Sequence, residues 1–300
     1  MKPLKTAIVL LLTIPAIAIS NQNVIFNMSK KNALPPYTFG QKVDSIDNPQ
    51  LVEISGMAPS SRYTDCFWVH NDSGDQANIY LINLAGDLIA TLSLPISNRD
   101  WEAITIADGY IYIGEVGDNM AIYNDKRIYK VAEPTTIDLT KRAQQLTSNK
   151  YETMAFNFAN GQRDCETMMY DPISKELVLV SKREESVFVY TTPFIATPKD
   201  KTILISHCAT LDFRNVTAGD ITLAGDKILI KNYEDIFFWE RDTKQTIAQA
   251  LSAEKTKLAY NPEPQGESIA WSTHEDAFYT ISEKNGNIAP IIYKYERTRK

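Results

Sequence analysis

Glu102, Glu166 and Glu267 each stand at the start of a short apolar segment, in DWEAITI, DCETMMY and GESIAW. Carboxylates brought to one place repel, and each raises the pKa of the next unless a cation or a Lys/Arg partner neutralises them. Such a group suits ligation of a hard cation or general-base catalysis. It equally suits a purely structural role, bonding backbone amides or water. Five polar loops recur beside these acids: HNDSGD from His70, GEVGDN from Gly114, KREE from Lys182, KNYED from Lys231 and SEKNG from Ser282. They add Asp72 and Asp118 as further candidate metal ligands. They also supply Lys182, Arg183, Lys231 and Asn119 as candidate contacts for a substrate anion. Acids for a cation beside bases for an anion make a hydrolytic mixture. His70 is the candidate catalytic imidazole, although a lone histidine at a strand end also fits a structural place. Trp101 reads as core packing. The chain holds no G-x-S-x-G, H-E-x-x-H, P-loop or dinucleotide fingerprint, which argues against serine hydrolase, zincin, ATPase and dehydrogenase chemistry.

The elements that must position these residues repeat. An apolar strand follows a polar or acidic residue. A turn leads to a second, almost wholly apolar strand: CFWVH, YIYIG, LVLVS, KILIK, AFYTIS. A polar loop then leads to an aromatic-rich third: IYLIN, RIYKV, VFVYT, IFFWE, IIYKY. A strand repeat of roughly 50 residues predicts an all-β fold, a β-propeller. Five four-stranded blades are expected, with six as the alternative: from about Glu53 to Pro95, Arg99 to Asn160, Arg163 to Phe213, Val216 to Tyr260, and Glu263 to Glu296. LIATLSLP, YETMAFNF, TILISHCATLDF and TKLAYNP supply outer strands for four of them. The last lacks one, so the strand within Tyr37 to Asp47 is expected to close the ring. The insertion LTKRAQQL (Leu139 to Leu146) reads as a short surface helix or loop, and TIAQALSAEK as a helix. In a blade, the inner strand starts on the face where the second strand ends. Aligning inner strands puts Ser55, Glu102, Glu166, Gly219 and Glu267 in register around the mouth of the channel, with Asp220 one step on.

The formal charge is -6. Lys2 and Lys5 precede an apolar run from Ala7 to Ile19, and Ala18 and Ser20 offer an A-x-S cleavage site: a secretory signal peptide over residues 1–20. Without those two lysines the chain would carry about -8, which argues against nucleic acid as a partner. Residues 21–36 read as a flexible segment and 37–300 as one propeller domain. No other segment could span a bilayer, so a monomer in the periplasm or medium is expected. The three cysteines, Cys66, Cys165 and Cys208, are at irregular spacing and read mostly as small packing residues.

EISGM, WVHNDSGD, NRDWEAI, YIGEVGDN, RDCETM and EPQGESIAW together resemble a family of secreted bacterial propeller proteins, over about Glu53 to Trp271. More remotely the chain is similar to propeller phytases, lactonases and strictosidine-synthase-like proteins, several of which hold calcium near the channel. The resemblance carries weight at His70, Asn71, Asp72, Asp75, Arg99, Asp100, Glu102, Asp118, Asn119, Asp164, Glu166, Gln265 and Glu267. Blade one has Ser55 and blade four Gly219 where the others have Glu. The expectation is a calcium site at the channel mouth on Asp72, Asp118, Glu102, Glu166 and Glu267. Glu102, Glu166, Glu267 and His70 would be catalytic, and Lys182, Arg183, Lys231 and Asn119 would hold a small ester or phosphoester. The alternative is a non-enzymatic propeller that binds a small-molecule or cell-envelope ligand.

Overall fold

The segments predicted as second strands are apolar at nearly every position, which suits a strand covered on both faces. The computed structural model, which describes residues 36–298, places each of them second from the channel in one of five sheets. The expected signal peptide and nearly all of the 21–36 segment lie outside the described residues.

A single strand, β1 (Gln41–Ser45), precedes the first blade. Blade one is then laid down as β2 (Ile54–Pro59), β3 (Cys66–Asn71), β4 (Asn78–Asn83) and β5 (Leu88–Ser93). Blade two begins with β6 (Trp101–Ala107), β7 (Tyr110–Glu115) and β8 (Lys126–Ala132). The chain next turns back to lay β9 (Gln144–Thr147) parallel on β5, then adds β10 (Tyr151–Phe158) to β8. Blade three holds β11 (Cys165–Asp171), β12 (Glu176–Ser181) and β13 (Val187–Thr192). Again the chain reaches back, placing β14 (Ile203–Ile205) parallel on β10 before β15 (His207–Leu211) completes blade three. Blade four holds β16 (Val216–Ile221), β17 (Lys227–Asn232), β18 (Ile236–Glu240) and β19 (Thr256–Leu258), with helix α1 (Ile247–Leu251) between the last two. A capping box starts that helix: Thr246 Oγ1 accepts from Gln249 N at 3.2 Å, and Gln249 Oε1 accepts from Thr246 N at 2.9 Å. Blade five holds β20 (Gly266–Trp271), β21 (Ala277–Ser282) and β22 (Ile291–Glu296).

Five sheets exclude a sixth blade among the described residues. Two expectations are corrected. The Leu139–Leu146 insertion, expected as a short surface helix or loop, is a loop whose last three residues are a strand, the start of β9. TILISHCATLDF is not one outer strand but two, serving neighbouring blades. Both departures have one cause. The outer edges of blades one and two would present unpaired N–H and C=O groups, and a parallel strand borrowed from the following chain satisfies them. Those two sheets therefore have five strands.

Blade five takes its outer strand from the N-terminus, as expected. β1 pairs antiparallel with β22, Gln41 opposite Lys294 and Ser45 opposite Ile291, and a bridge joins Tyr37 to Arg297. The strand itself is largely exposed. Its anchor is Tyr37, 1% exposed, wedged between blades four and five with ring centroids 5.6 Å from Phe238 and 5.2 Å from Phe278.

The core is divided among the blade interfaces, and the period-2 alternation of each second strand feeds two of them. Trp68 packs toward blade two while Phe67 and Val69 pack toward blade five. Val178 and Val180 meet blade four, and Leu177 and Leu179 meet blade two. Leu229 meets blade five, across from Trp271 and Phe278. Trp101 is fully buried in the first of these interfaces, as packing requires. Cys66 and Cys165 are buried and Cys208 exposed; all three thiols are free.

Tyr37→Ala should destabilise the protein by about 3–5 kcal/mol, the cost of emptying an aromatic core site. Tyr37→Phe should cost nothing, because the buried hydroxyl has no protein partner to lose. Urea denaturation of both variants checks the pair.

Candidate functional site

Every inner strand starts with the same irregularity. The ladder to the second strand slips between Ile54 and Gly56, Trp101 and Ala103, Cys165 and Thr167, Val216 and Ala218, and Gly266 and Ser268. The skipped residue is Ser55, Glu102, Glu166, Thr217 or Glu267. Each is the extra residue of a bulge, a device that re-aims a side chain, and all five line the channel. The sequence alignment therefore holds in blades one, two, three and five and slips by two residues in blade four. Thr217, not Gly219, is the equivalent of the glutamates, and Asp220 lies toward the opposite end of the channel.

A second set of positions follows the second strands, one residue on in four blades and two residues on in blade two, where Val116 intervenes. The backbone N–H groups of Asp72, Gly117, Lys182 and Glu283 donate to the carbonyls of Glu53, Asp100, Asp164 and Gln265, the residues just before the inner strands. In blade four the register of Val216 opposite Asn232 makes Tyr233 the equivalent. Blade two has glycine here for a physical reason. A Cβ on Gly117 would lie 2.5 Å from Asp100 Cγ and 2.8 Å from Glu102 Cγ. The space a side chain would fill is taken by those two acids.

Asp72, Asp100 and Glu102 consequently converge, each with one carboxylate oxygen such that all three lie within 4.8 Å of one another, and could hold a metal ion. Asn98 fixes their approach: its side-chain amide donates to Asn71 O at 3.3 Å and Asp72 O at 3.0 Å, and its Oδ1 accepts from Trp101 N at 3.0 Å. Ser55 Oγ donates to Glu102 Oε2 at 2.7 Å and orients it. Burial, with Asp72 and Asp164 nearby, pushes Asp100 up to about 6. Burial likewise holds Glu102 well above the carboxylate range, reinforced by Glu166 and Asp72 and only partly offset by Ser55.

Across the mouth is a mixed cluster. Lys182 Nζ donates to Glu166 Oε1 and, at 3.0 Å, to the Tyr233 hydroxyl, and lies 3.8 Å from Glu267. Tyr233 in turn donates to Glu267 Oε1 at 2.5 Å. Burial opposes the charge on Lys182, yet Glu166 and Glu267 outweigh it and keep the ammonium above the usual lysine range. Glu166 Oε2 is buried with no partner. Glu283 is bonded to Glu267, and burial together with that neighbour's charge pushes Glu283 up to about 8. Glu283 therefore holds a proton at neutral pH.

Several expected residues stand elsewhere. Asp118 does not join the acids. Its carboxylate pins its own loop, accepting from Ile122 N at 2.7 Å, Tyr123 N at 3.0 Å and Lys126 Nζ at 3.3 Å. Arg183 is paired with Asp164 at 2.6 Å. Lys231 is fully buried, donating to Gly266 O with its ammonium 5.1 Å from the Tyr260 ring centre; burial brings it down to about 8. Asn119 is exposed on the loop beyond Gly117. His70 is sealed under Gly56, where an added Cβ would lie 2.3 Å from Nε2. Its Nδ1 lies 3.0 Å from Asn71 O, and burial lowers it to about 4, so it is neutral and out of a substrate's reach. Tyr233 and Glu283 were missed as site residues, although both lie in the loops singled out. Their signal was register: each is the first residue past its second strand.

No protein-family model matches the chain, and no curated protein matches it. A solved structure described as a functionally unknown protein from Desulfotomaculum acetoxidans DSM 771 is 13% identical, with a TM-score of 0.40. The match covers 76% of this chain and 65% of that one. A likeness of this degree says nothing of a shared site. Among the described residues no helix is long and apolar enough to cross a membrane.

His70 carries a pH signature. Its folded pKa of about 4 lies below the ordinary 6.5, so between those values the unfolded chain binds the proton and the folded one does not. Its penalty is absent above pH 6.5 and complete below 4, on the order of 3 kcal/mol. His70→Gln should flatten that portion of the stability–pH curve, read as the difference between variant and wild type in urea melts from pH 7 to 4.

Proposed function

We propose that this chain is an extracytoplasmic propeller that holds a hard divalent cation, calcium, on Asp72, Asp100 and Glu102 and hydrolyses a small ester or phosphoester at the channel mouth. The observation that carries the reading is the convergence of those three carboxylates over a glycine that leaves them room. The donor set is all oxygen, which suits calcium or magnesium rather than zinc or copper. Ser55 and Asn98 supply the outer hydrogen bonds that orient metal-binding carboxylates. A bound cation would neutralise the crowded acids and polarise a carbonyl or phosphoryl oxygen. Opposite, Glu283 holds a proton at neutral pH, the property wanted of a general acid. Lys182 opposes the protonation that burial favours at Glu166. Tyr233, half-buried, holds Glu267 Oε1.

A second reading, a binder without turnover, has one observation in its favour. No imidazole reaches the mouth among the described residues, and Glu166 and Glu267 are already engaged by Lys182 and Tyr233. Under this reading the cation would anchor a ligand's oxygens.

Calcium at 100 times its dissociation constant should stabilise the protein by about 2.7 kcal/mol, a melting-temperature rise of roughly 5–10 °C, reversed by EDTA. Asp100→Asn and Gly117→Ala should each abolish most of that rise, the second by driving Asp100 and Glu102 apart. An unchanged melting temperature in wild type would retire the cation site and leave the carboxylates structural. Turnover of esters, lactones or phosphoesters with calcium present, lost in Glu267→Gln, separates the hydrolase from the binder.

A further inference from the structure

Three blades send the chain outward between their third and fourth strands. In blades two and three that excursion lays a parallel strand on the outer edge of the preceding blade, β9 on β5 and β14 on β10. Each turns an apolar side chain into the blade interface beneath, Leu146 from β9 and Ile205 from β14. In blade four the same excursion forms α1, because a capping box and a run of good helix formers favour the helix there. The helix buries Ile247, Ala250 and Leu251 in the interface of blades three and four and leaves β15 as the edge of a four-stranded sheet.

That edge has backbone groups to offer. Phe188 N donates to Ser181 Oγ at 2.9 Å, so Phe188 faces β12. Its antiparallel partner on β15 is Thr210. Residues in such a pair point their N–H and C=O groups away from each other. Those of Thr210 therefore face outward, where no described residue meets them. Alongside runs a groove of about 640 Å3, within the size range of ligand pockets. Thr210 to Asp212 form one wall and Leu251 to Lys255 the other. Leu211, Phe237, Trp239 and Leu251 give it a buried apolar floor. The Lys255–Asp212 ion pair joins the walls; both partners are partly exposed, so parting them costs little. Acids and lysines balance along the rim, so no charge is demanded of an occupant. A groove walled on both sides admits one strand and not the edge of another sheet, which argues against a second copy of the chain.

We propose that this groove is a fifth-strand seat in blade three, which receives an extended segment of a partner protein. The segment would pair with β15 as β9 and β14 pair with their edges, over three or four residues, with an apolar side chain turned to Phe237 and Trp239. The seat does not depend on the cation at the mouth.

The test is an NMR titration of the full 15N-labelled protein with a capped peptide, KTILIS, that copies residues 201–206. The Trp239 indole N–H, which donates to Ala253 O at 3.3 Å, should shift and saturate while the other three indoles stay unmoved. At saturation the Thr210 amide should gain at least about tenfold protection from hydrogen exchange. Thr210→Pro should weaken the peptide at least about tenfold, because the edge loses its N–H and gains the bulk of a ring. Proline is tolerated where an edge N–H faces outward. Exchange at Thr210 in the wild type decides the matter if that variant does not fold. The proposal is overturned by an absence of binding, by binding that leaves exchange at Thr210 unchanged, or by shifts confined to β10, where the peptide would have displaced its own copy. A dimer in sedimentation that Thr210→Pro dissolves would also overturn it, since the edge would then take a second copy of the chain.

Discussion

Five bulges govern this molecule. A β-strand alternates its side chains strictly, so a residue next to a buried one on the ladder would point into a blade interface. Skipping one residue at the top of each inner strand frees Ser55, Glu102, Glu166, Thr217 and Glu267 from that alternation. They face one another instead of the core. Three of the five are acids, and everything unusual about the mouth follows from holding those acids together. Lys182 is recruited and held protonated, Ser55 and Tyr233 are committed to orienting carboxylates, and Glu283 carries a proton at neutral pH.

Such crowding is unfavourable taken alone, and the remainder of the fold bears it. Like charges in a throat push its walls apart. The walls are held by five aromatic-rich interfaces, and the ring is closed by a strand whose grip is Tyr37 rather than its own exposed surface. β9 and β14 reinforce this in a way a simple ring does not need. Each is supplied by the chain of the following blade, so blades one, two and three are laced through their outer edges as well as packed through their faces. A site that stores electrostatic repulsion is one whose ligand, if cationic, stabilises the whole protein. Chelation is for that reason a structural as well as a functional probe.

The two ends of the channel differ in kind. At the mouth, acids are many, close, and tied into hydrogen bonds with one another and with a lysine. At the far end a single carboxylate joins two blades through backbone N–H groups and otherwise meets apolar side chains. The same inner strand of blade four supplies both ends, Thr217 at one and Asp220 at the other. This is how one channel can present two unlike chemical surfaces.

Local pattern was enough for much of the fold. Runs such as LVLVS and KILIK are apolar at successive positions because both faces are covered, and that fact is visible without coordinates. So were the five repeats, the missing outer strand of the last blade, and the acids opening three inner strands. What local pattern lacks is the other side of a contact. β9 and β14 are strands only because an edge elsewhere needs a partner, so QQLT and ILI carry weak signals of their own. Blade four was misaligned because a bulge is a property of a pair of strands; one chain segment offers Gly219 and Thr217 equally. Gly117 stands in a loop with the Gly-Asp-Asn composition of a tight turn, yet its reason is the pair of carboxylates packed against it. His70 and Lys231 looked like free polar groups at strand ends and are instead sealed between blades. Residue type and spacing determined which chemistry could be assembled on which face. Tertiary packing alone decided which of those residues keep their lone pairs and charges available, because burial and charge pairing depend on neighbours far away in the chain.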